Sequence, residues 1–166
     1  MGALHDLNPV LFRQGNDEVE CMTVELTTGN TRLRCVVGYG PQLADSHTRK
    51  EQFWKYLDQE ILCASEDGVG IIIEIDSNAW AGKVILPRDP NNQNSNGKLL
   101  ENFLERNKNV TLVNSLPLCD GSITRKRITK CLNEQYILDL FMVCDKVLPH
   151  VVKMCVDVKS EQQLSN

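Results

Sequence analysis

The most constraining feature of this sequence is an apolar run that stops at two polar side chains. Residues 69–80 read VGIIIEIDSNAW. A run of Ile and Val that follows Gly70 and ends at polar residues is typical of a strand buried on both faces. Side chains two residues apart in extended backbone point to the same side. The pattern therefore predicts that Asp76 and Asn78 converge at one end of a sheet.

A carboxylate and a carboxamide at one point suit phosphodiester chemistry. Asp76 can hold a divalent cation or accept a proton, and Asn78 can donate a hydrogen bond to a phosphate oxygen or an attacking water. The alternative interpretation is that both residues form Asx turns that merely end a core strand. The two residues on their own favour that alternative.

Composition indicates a single globular domain in an intracellular compartment. The chain has 166 residues, of which 42% are apolar, enough for one sizeable core. No apolar stretch approaches the roughly 20 residues that span a bilayer, and the first residues lack the order of a signal peptide. Seven cysteines without a C-x-x-C pair indicate reduced thiols packed as small apolar residues, not disulfides or a zinc site.

The net charge limits how the chain can meet nucleic acid. A formal charge of −4 argues against binding by bulk electrostatics, which needs many Lys and Arg contacts to phosphates. Any such contact is expected to be local. The clearest basic patch covers residues 125–130, RKRITK, and its alternative interpretation is a solvated strand face or turn.

Hydrophobic periodicity predicts more strands than helices. Alternating runs at 19–27 and 31–39 form a hairpin, and Ser46 caps a helix over 47–64 in which Phe53, Trp54, Leu57, Ile61 and Leu62 recur at helical spacing. A second helix covers 97–106, after a long polar loop that favours a functional role. Further strands are predicted at 70–75, 110–114, 122–128, 136–144 and 151–158.

This order predicts a mixed α/β (α+β) fold. Strands without an intervening helix must pair largely antiparallel, so two packed sheets with helices on their outer faces, a four-layer sandwich, fit better than a doubly wound sheet. Asp139 falls within an otherwise apolar strand. A carboxylate buried there needs hydrogen-bond donors or a cation nearby.

Six segments taken in order resemble the endonuclease/exonuclease/phosphatase superfamily. The similarity is greatest to the endonuclease domain of non-LTR retrotransposon reverse transcriptases, which are relatives of apurinic endonucleases and DNase I. The segments are VVGYGP at 36–41, IEIDSNAWAG at 73–82, NSNGKLLENFL at 94–104, LVNS at 112–115, GSITR at 121–125 and ILDLFMVCD at 137–145.

The resemblance implies a DNase I-like two-sheet sandwich that hydrolyses phosphodiester bonds with Mg²⁺ or Mn²⁺. Catalytic roles fall on Asp76 (also the metal residue) and Asn78, although Glu74-Ile75 stands where the family has Gly. Tyr39 matches the residue that contacts the scissile phosphate, and Asp139 matches the strand Asp that orients the catalytic His. Asn96, Thr124 and Arg125 match positions that face DNA.

Two parts of the family pattern are not found in this sequence. They are the opening strands that carry an Asn and a metal-binding Glu, and a final Asp-His pair; His5, His47 and His150 do not stand in its place. We therefore expect a partial domain over 19–158, with an N-terminal extension at 1–18 and a C-terminal tail at 159–166. Hydrolysis by the isolated chain is expected to be weak or absent.

Three functions follow from the resemblance. The first is a metal-dependent DNA endonuclease domain of retrotransposon origin. The second is a non-catalytic relic that binds nucleic acid or a protein. The third is a small-molecule phosphodiesterase or phosphatase of the same superfamily. DNA is the expected partner, with no membrane and no organic cofactor, and an uncovered sheet edge is expected to allow association with another chain.

Overall fold

The architecture is known from a computed structural model that describes residues 8–15, 19–128 and 133–156. Ten strands are described: β1 Asn8–Gln14, β2 Glu20–Thr28, β3 Thr31–Tyr39, β4 Gly70–Asp76, β5 Val110–Leu112, β6 Cys119–Asp120, β7 Arg125–Ile128, β8 Asn133–Tyr136, β9 Asp139–Cys144 and β10 Met154–Cys155. The helices are α1 His47–Glu66, α2 Gly82–Ile85 and α3 Ser95–Arg106, with 3₁₀ turns at Val113–Ser115 and Leu148–His150.

One six-stranded sheet organises the described residues, with strand order β1-β2-β3-β4-β9-β5. Only β3 and β4 are parallel in it, because α1 supplies the long crossover that a parallel pair requires. The tight turn at Gly29, with φ of 55°, joins β2 to β3. Two small sheets, β7 with β8 and β6 with β10, complete the described strands.

The hydrophobic core lies between α1, α3 and one face of this sheet. Ser46 caps α1 by accepting a hydrogen bond from the N–H of Arg49 at 3.2 Å. Trp54 packs edge-on against Phe53 and at 5.2 Å from the ring of Phe103 in α3. The buried side chains that meet them from the sheet are Ile71, Ile73, Ile75, Leu140 and Met142.

The sequence predicted that strand β4 is buried on both faces. In the structure it is buried on one face. Ile71, Ile73 and Ile75 are buried, whereas Ile72 is partly exposed and Glu74 is exposed. Asp76 continues the Ile72 and Glu74 side of the strand, since side chains alternate. The end of β4 that matters for chemistry therefore opens on the less covered face of the sheet.

Several other predictions are confirmed and some are corrected. The hairpin and both helices are present, but Leu62 is 51% exposed and does not join the core. The predicted strand 136–144 divides in two, since β8 ends at Tyr136 and β9 begins at Asp139. The last predicted strand is reduced to Met154–Cys155, and residues 157–158 lie outside the described part.

The segment assigned to an N-terminal extension supplies a strand. β1 pairs antiparallel with β2 and forms one edge of the sheet. Arg13 of β1 approaches the fully buried Glu60 of α1 at 2.8 Å, and neither Glu60 oxygen accepts a hydrogen bond of ordinary geometry. The contact is therefore a charge interaction that ties β1 to the domain. The tail 159–166 lies outside the described residues.

The mixed α/β class is confirmed, with one large sheet and few helices. The second large sheet of a sandwich is not formed by residues 8–15, 19–128 and 133–156. The six described cysteines are free thiols. Cys131 lies outside the described residues. Within the described ranges, no helix combines the length and the apolar character needed to cross a membrane.

Candidate active site

Three of the predicted residues form one row across adjacent strands. Tyr39 at the end of β3 is the register partner of Asp76 at the end of β4. Asp76 is in turn paired with Asp139 at the start of β9. The N–H of Ser77 donates to the carbonyl of Leu138 at 2.8 Å, which makes Asp76 and Asp139 a pair without direct backbone bonds, the kind with the closer side chains. The row therefore brings Tyr39, Asp76 and Asp139 to one end of the sheet.

The Asp76 carboxyl group is set apart by its electrostatic surroundings. Burial is the largest cause that raises the pKa of Asp76, and the neighbouring charge of Asp139 raises it further. The backbone N–H of Asn78 and the charge of Arg125 act in the opposite direction. A raised carboxyl pKa means that the ionised form is disfavoured at this point. A cation placed between Asp76 and Asp139 would relieve that penalty.

Asn78 is held in an unusual backbone conformation by several hydrogen bonds. Its φ is 47°, the one positive φ among the described non-glycine residues, and such outliers gather at functional sites. Its N–H donates to Asp76 Oδ1 at 3.1 Å, which is an Asx turn, and its Nδ2 donates to the carbonyl of Gly40 at 2.8 Å. The Asx-turn interpretation therefore describes this segment, and the Asn78 carboxamide is hydrogen bonded to Gly40.

Asn96 was matched to a position that faces DNA, but in the structure its side chain is buried. Its side chain is 0% exposed, and its Nδ2 donates to the carbonyls of Pro41 at 2.7 Å and Asn78 at 3.3 Å. A side chain enclosed in this way cannot contact a large ligand directly. Asn96 instead holds the backbone of Asn78 through the hydrogen bond to its carbonyl.

Asn94 contributes to the same support and was missed in the sequence. Its side-chain oxygen caps α3 through the N–H of Gly97 at 2.8 Å and also accepts the N–H of Trp80 at 3.1 Å. The sequence signal for it was an Asn placed before the helical run, which is a usual N-cap pattern. The loop after β4 is thus attached to the first turn of α3.

Thr124 supports Asp139 from the adjoining loop. Its Oγ1 accepts the N–H groups of Leu138 at 2.9 Å and Asp139 at 3.2 Å. Asn114, also missed, accepts the N–H of Phe141 at 2.8 Å and donates to the carbonyl of Asp139 at 3.2 Å. Asp139 itself is exposed at the first position of β9, so the expected burial within an apolar strand is wrong. Its charge is solvated there.

A cleft beside Asn78 contains the predicted Arg125. It has a volume of about 190 Å³ and is lined by Leu43, Asn78, Trp80, Asn94, Arg125, Arg127, Tyr136 and Leu138. Arg125 is exposed at the start of β7, and its charge lowers the pKa of Asp76. The cleft therefore adjoins the carboxylate pair and carries positive charge.

Asp76 and Asp139 are the carboxylates that a divalent cation such as Mg²⁺ or Mn²⁺ would meet at this end of the sheet. Their positions are register partners on β4 and β9, and carboxylate oxygens are hard donors. No group of three or more His, Cys, Asp or Glu side chains suited to a metal occurs among the described residues. Mg²⁺ is commonly held by one or two carboxylates, with water and substrate phosphates completing its shell.

Among the described histidines, His47 pairs with Glu51 at 3.5 Å and His150 lies in a 3₁₀ turn.

Comparisons with known proteins identify the fold. No protein-family model matches the sequence, and no curated protein matches it. The endonuclease domain of TRAS1, a telomere-specific non-LTR retrotransposon, matches with a TM-score of 0.60 and 18% identity over 87% of this chain and 59% of that chain. TDP2 from D. rerio, solved with a single-strand DNA product, matches with a TM-score of 0.45 and 11% identity over 83% and 51%.

The chain thus spans 59% of the length of the TRAS1 domain. An identity of 18% at a TM-score of 0.60 establishes a shared backbone architecture. Substrate and activity are not settled by that architecture, because one fold hosts many functions. The chain has the DNase I-like fold that the sequence resemblance predicted.

Proposed function

We propose that this chain is a metal-dependent phosphodiester hydrolase of the DNA endonuclease type and of retrotransposon origin. The observation that supports it best is the row of Tyr39, Asp76 and Asp139 across three neighbouring strands. A carboxyl group with a raised pKa beside a second carboxylate and an arginine is typical of functional sites. The DNase I-like fold agrees with this reaction class.

Each residue has a role that its position allows. Asp76 would hold a divalent cation, or it accepts the proton of the attacking water. Asn78 orients the water or the phosphate. Tyr39 is 40% exposed at the end of β3, and its hydroxyl group donates a hydrogen bond to a phosphate oxygen. Arg125 attracts the phosphate by charge. When bound, Mg²⁺ or Mn²⁺ would neutralise the two carboxylates and the developing negative charge.

The proposed activity is weak. The described residues offer the cation two carboxylates rather than three, and no described histidine is hydrogen bonded to Asp139. Loss of one electrostatic stabiliser commonly costs about 10²–10³ in rate. The activity is therefore expected at high protein concentration and long incubation, with Mg²⁺ or Mn²⁺ present.

A plasmid-nicking assay tests the proposal. The chain is incubated with supercoiled DNA and Mg²⁺ or Mn²⁺, and compared with Asp76→Ala and with Asp145→Ala. Asp145 is an exposed carboxylate beyond the other end of β9, so it controls for the loss of one negative charge. We expect Asp76→Ala to lower nicking by about 100-fold or more and Asp145→Ala to leave it unchanged. Equal nicking by all three proteins would remove Asp76 from the mechanism.

A second candidate function is DNA binding without cleavage. It is favoured by the incomplete donor set together with the exposed Arg125 and Arg127 on β7. Binding of this kind weakens steeply with salt. Fluorescence anisotropy over a range of salt concentrations, with no nicking by the wild-type chain in either metal, would select this function over hydrolysis.

A further inference from the structure

The cleft beside Asn78 is lined by two aromatic rings as well as by arginines. The rings of Trp80 and Tyr136 lie 5.8 Å apart between centroids, with an angle of 32° between their planes. Both side chains are partly exposed. In contrast, the other tryptophan, Trp54, is 2% exposed and packs in the core. An aromatic pair left partly open in a charged cleft is not required by the core.

Both rings are carried on well-supported backbone. The N–H of Trp80 donates to Asn94 Oδ1, and its carbonyl accepts the N–H of Asn94 at 3.3 Å. The first turn of α3 packs so closely on Trp80 that a side chain at Gly97 would lie 2.0 Å from its carbonyl oxygen. Tyr136 is the register partner of Arg125, and its carbonyl accepts the N–H of Thr124 at 2.9 Å. The cleft is therefore preorganised.

The cleft carries two arginines that suit a phosphate chain, and Arg127 is also paired with Glu134 at 4.0 Å. Arg125 and Arg127 are two residues apart on β7, so they project to the same side of the strand and both line the cleft. Arg125 also lies close enough to Asp76 to lower the pKa of that carboxyl group. A nucleotide whose base entered the cleft would thus have its backbone directed toward the catalytic row.

The size of the cleft restricts what enters it. About 190 Å³ is below the roughly 300–1,000 Å³ of sites for drug-sized ligands, and it suits one planar group. Base stacking on aromatic side chains with arginines along the backbone is the usual way to bind single-stranded nucleic acid. A base within a duplex is already stacked and paired, so it is not free to enter.

We propose that the cleft formed by Trp80, Tyr136, Arg125 and Arg127 is a subsite for one unpaired nucleobase of a DNA strand whose backbone continues to Asp76. This inference rests on the proposed function, since it names the part of the substrate that is recognised. It predicts a preference for single-stranded or locally opened DNA over a fully paired duplex.

Tryptophan fluorescence tests the subsite without cleavage. The chain carries Asp76→Asn and is kept in EDTA, and its emission is followed while a short oligothymidylate is added. Trp80 and Trp54 are the two tryptophans of the sequence, and the buried Trp54 supplies a constant background that Trp54→Phe can remove. The matched ligand is an abasic oligomer of equal length and equal phosphate number.

The subsite predicts quenching by oligothymidylate and little quenching by the abasic oligomer. Tyr136→Leu should weaken oligothymidylate binding by about 10-fold, because one of the two stacking rings is lost, whereas Tyr136→Phe should retain it. Equal quenching by the abasic oligomer, equal competition by a paired duplex, or unchanged binding by Tyr136→Leu would overturn the proposal.

The two proposals fail in different ways. Base-dependent quenching without any plasmid nicking would refute the proposed hydrolysis and leave the subsite standing. Nicking that depends on Asp76, together with binding that ignores the bases and Tyr136, would refute the subsite and leave the hydrolysis standing.

Discussion

Replacement of Asp76 by Asn should make the protein more stable while it removes the proposed activity. Asp76 and Asp139 face each other as a close cross-strand pair, and burial together with the charge of Asp139 raises the pKa of Asp76. Asparagine keeps the oxygen that accepts the N–H of Asn78 at 3.1 Å. The substitution therefore removes the repulsion and keeps the turn.

The size of the effect follows from the geometry of the pair. Two unit charges about 5 Å apart, the usual separation of cross-strand neighbours, repel by about 0.8 kcal/mol in water. The lost attraction to the exposed Arg125 offsets part of the gain. We expect the free energy of unfolding to rise by about 0.5–0.8 kcal/mol at pH 7, which corresponds to about 1–3 °C in Tm for a chain of this size.

The gain should disappear in acid. The pKa of Asp76 is raised in the folded chain, so Asp76 ionises first in the unfolded chain as the pH increases. Between the unfolded and the folded pKa the protein therefore loses stability as the pH rises, and above the folded pKa the full penalty remains. Below the unfolded value of about 3.9, both states are protonated and the wild-type penalty is absent. Asp76→Asn should therefore gain stability at pH 7 and little at pH 3.5.

Urea unfolding followed by circular dichroism at both pH values measures this effect. Asp139→Asn should give a similar gain at pH 7, and the double variant should gain less than the sum, because the repulsion is removed only once. Asp145→Asn is the charge-matched control and should stay within about 0.5 kcal/mol. A loss of stability in Asp76→Asn, or additive gains in the double variant, would refute the account of a repelling pair.

Three further predictions follow from contacts that hold β1 and the site in place. Arg13→Ala leaves the buried Glu60 without its partner at 2.8 Å and should lower the free energy of unfolding in urea by about 3–5 kcal/mol. Asn96→Ala removes the 2.7 Å hydrogen bond to the carbonyl of Pro41. It should lower the free energy of unfolding by about 1–3 kcal/mol and also reduce nicking. Asn102→Ala, on the exposed side of α3, should change neither quantity. Thr124→Val should reduce nicking and Thr124→Ser should not, because serine keeps the accepting oxygen.

Local patterns were sufficient to predict the elements that position the site. The Ile and Val run gave β4 and its polar end, and Ser46 with the apolar residues after it gave α1. These signals are carried by neighbours in the sequence. The roles of Tyr39, Asp76 and Asp139 were inferred through family resemblance, and their alignment in one row was not predicted, because strand order depends on partners far along the chain.

The errors concern burial and pairing that no local pattern contains. Asn96 stands in a polar stretch of the sequence, yet in the first turn of α3 it is enclosed and donates to two distant carbonyls. Asp139 stands beside apolar residues, yet the strand begins there and its side chain reaches solvent. β1 was missed because its short run begins Asn8-Pro9 and its alternation is broken by a register shift between Leu11 and Arg13.

The most direct test of the account compares nicking rates for substitutions at the two ends of β9. Asp139→Asn alters the end that faces Asp76, and Asp145→Asn alters the opposite end by the same chemical change. With equal amounts of folded protein and Mn²⁺, we expect Asp139→Asn to lower the rate by at least about 10-fold and Asp145→Asn to match the wild type. Equal rates for the two variants, or no metal-dependent nicking by the wild-type chain, would contradict a phosphodiesterase site at this end of the sheet.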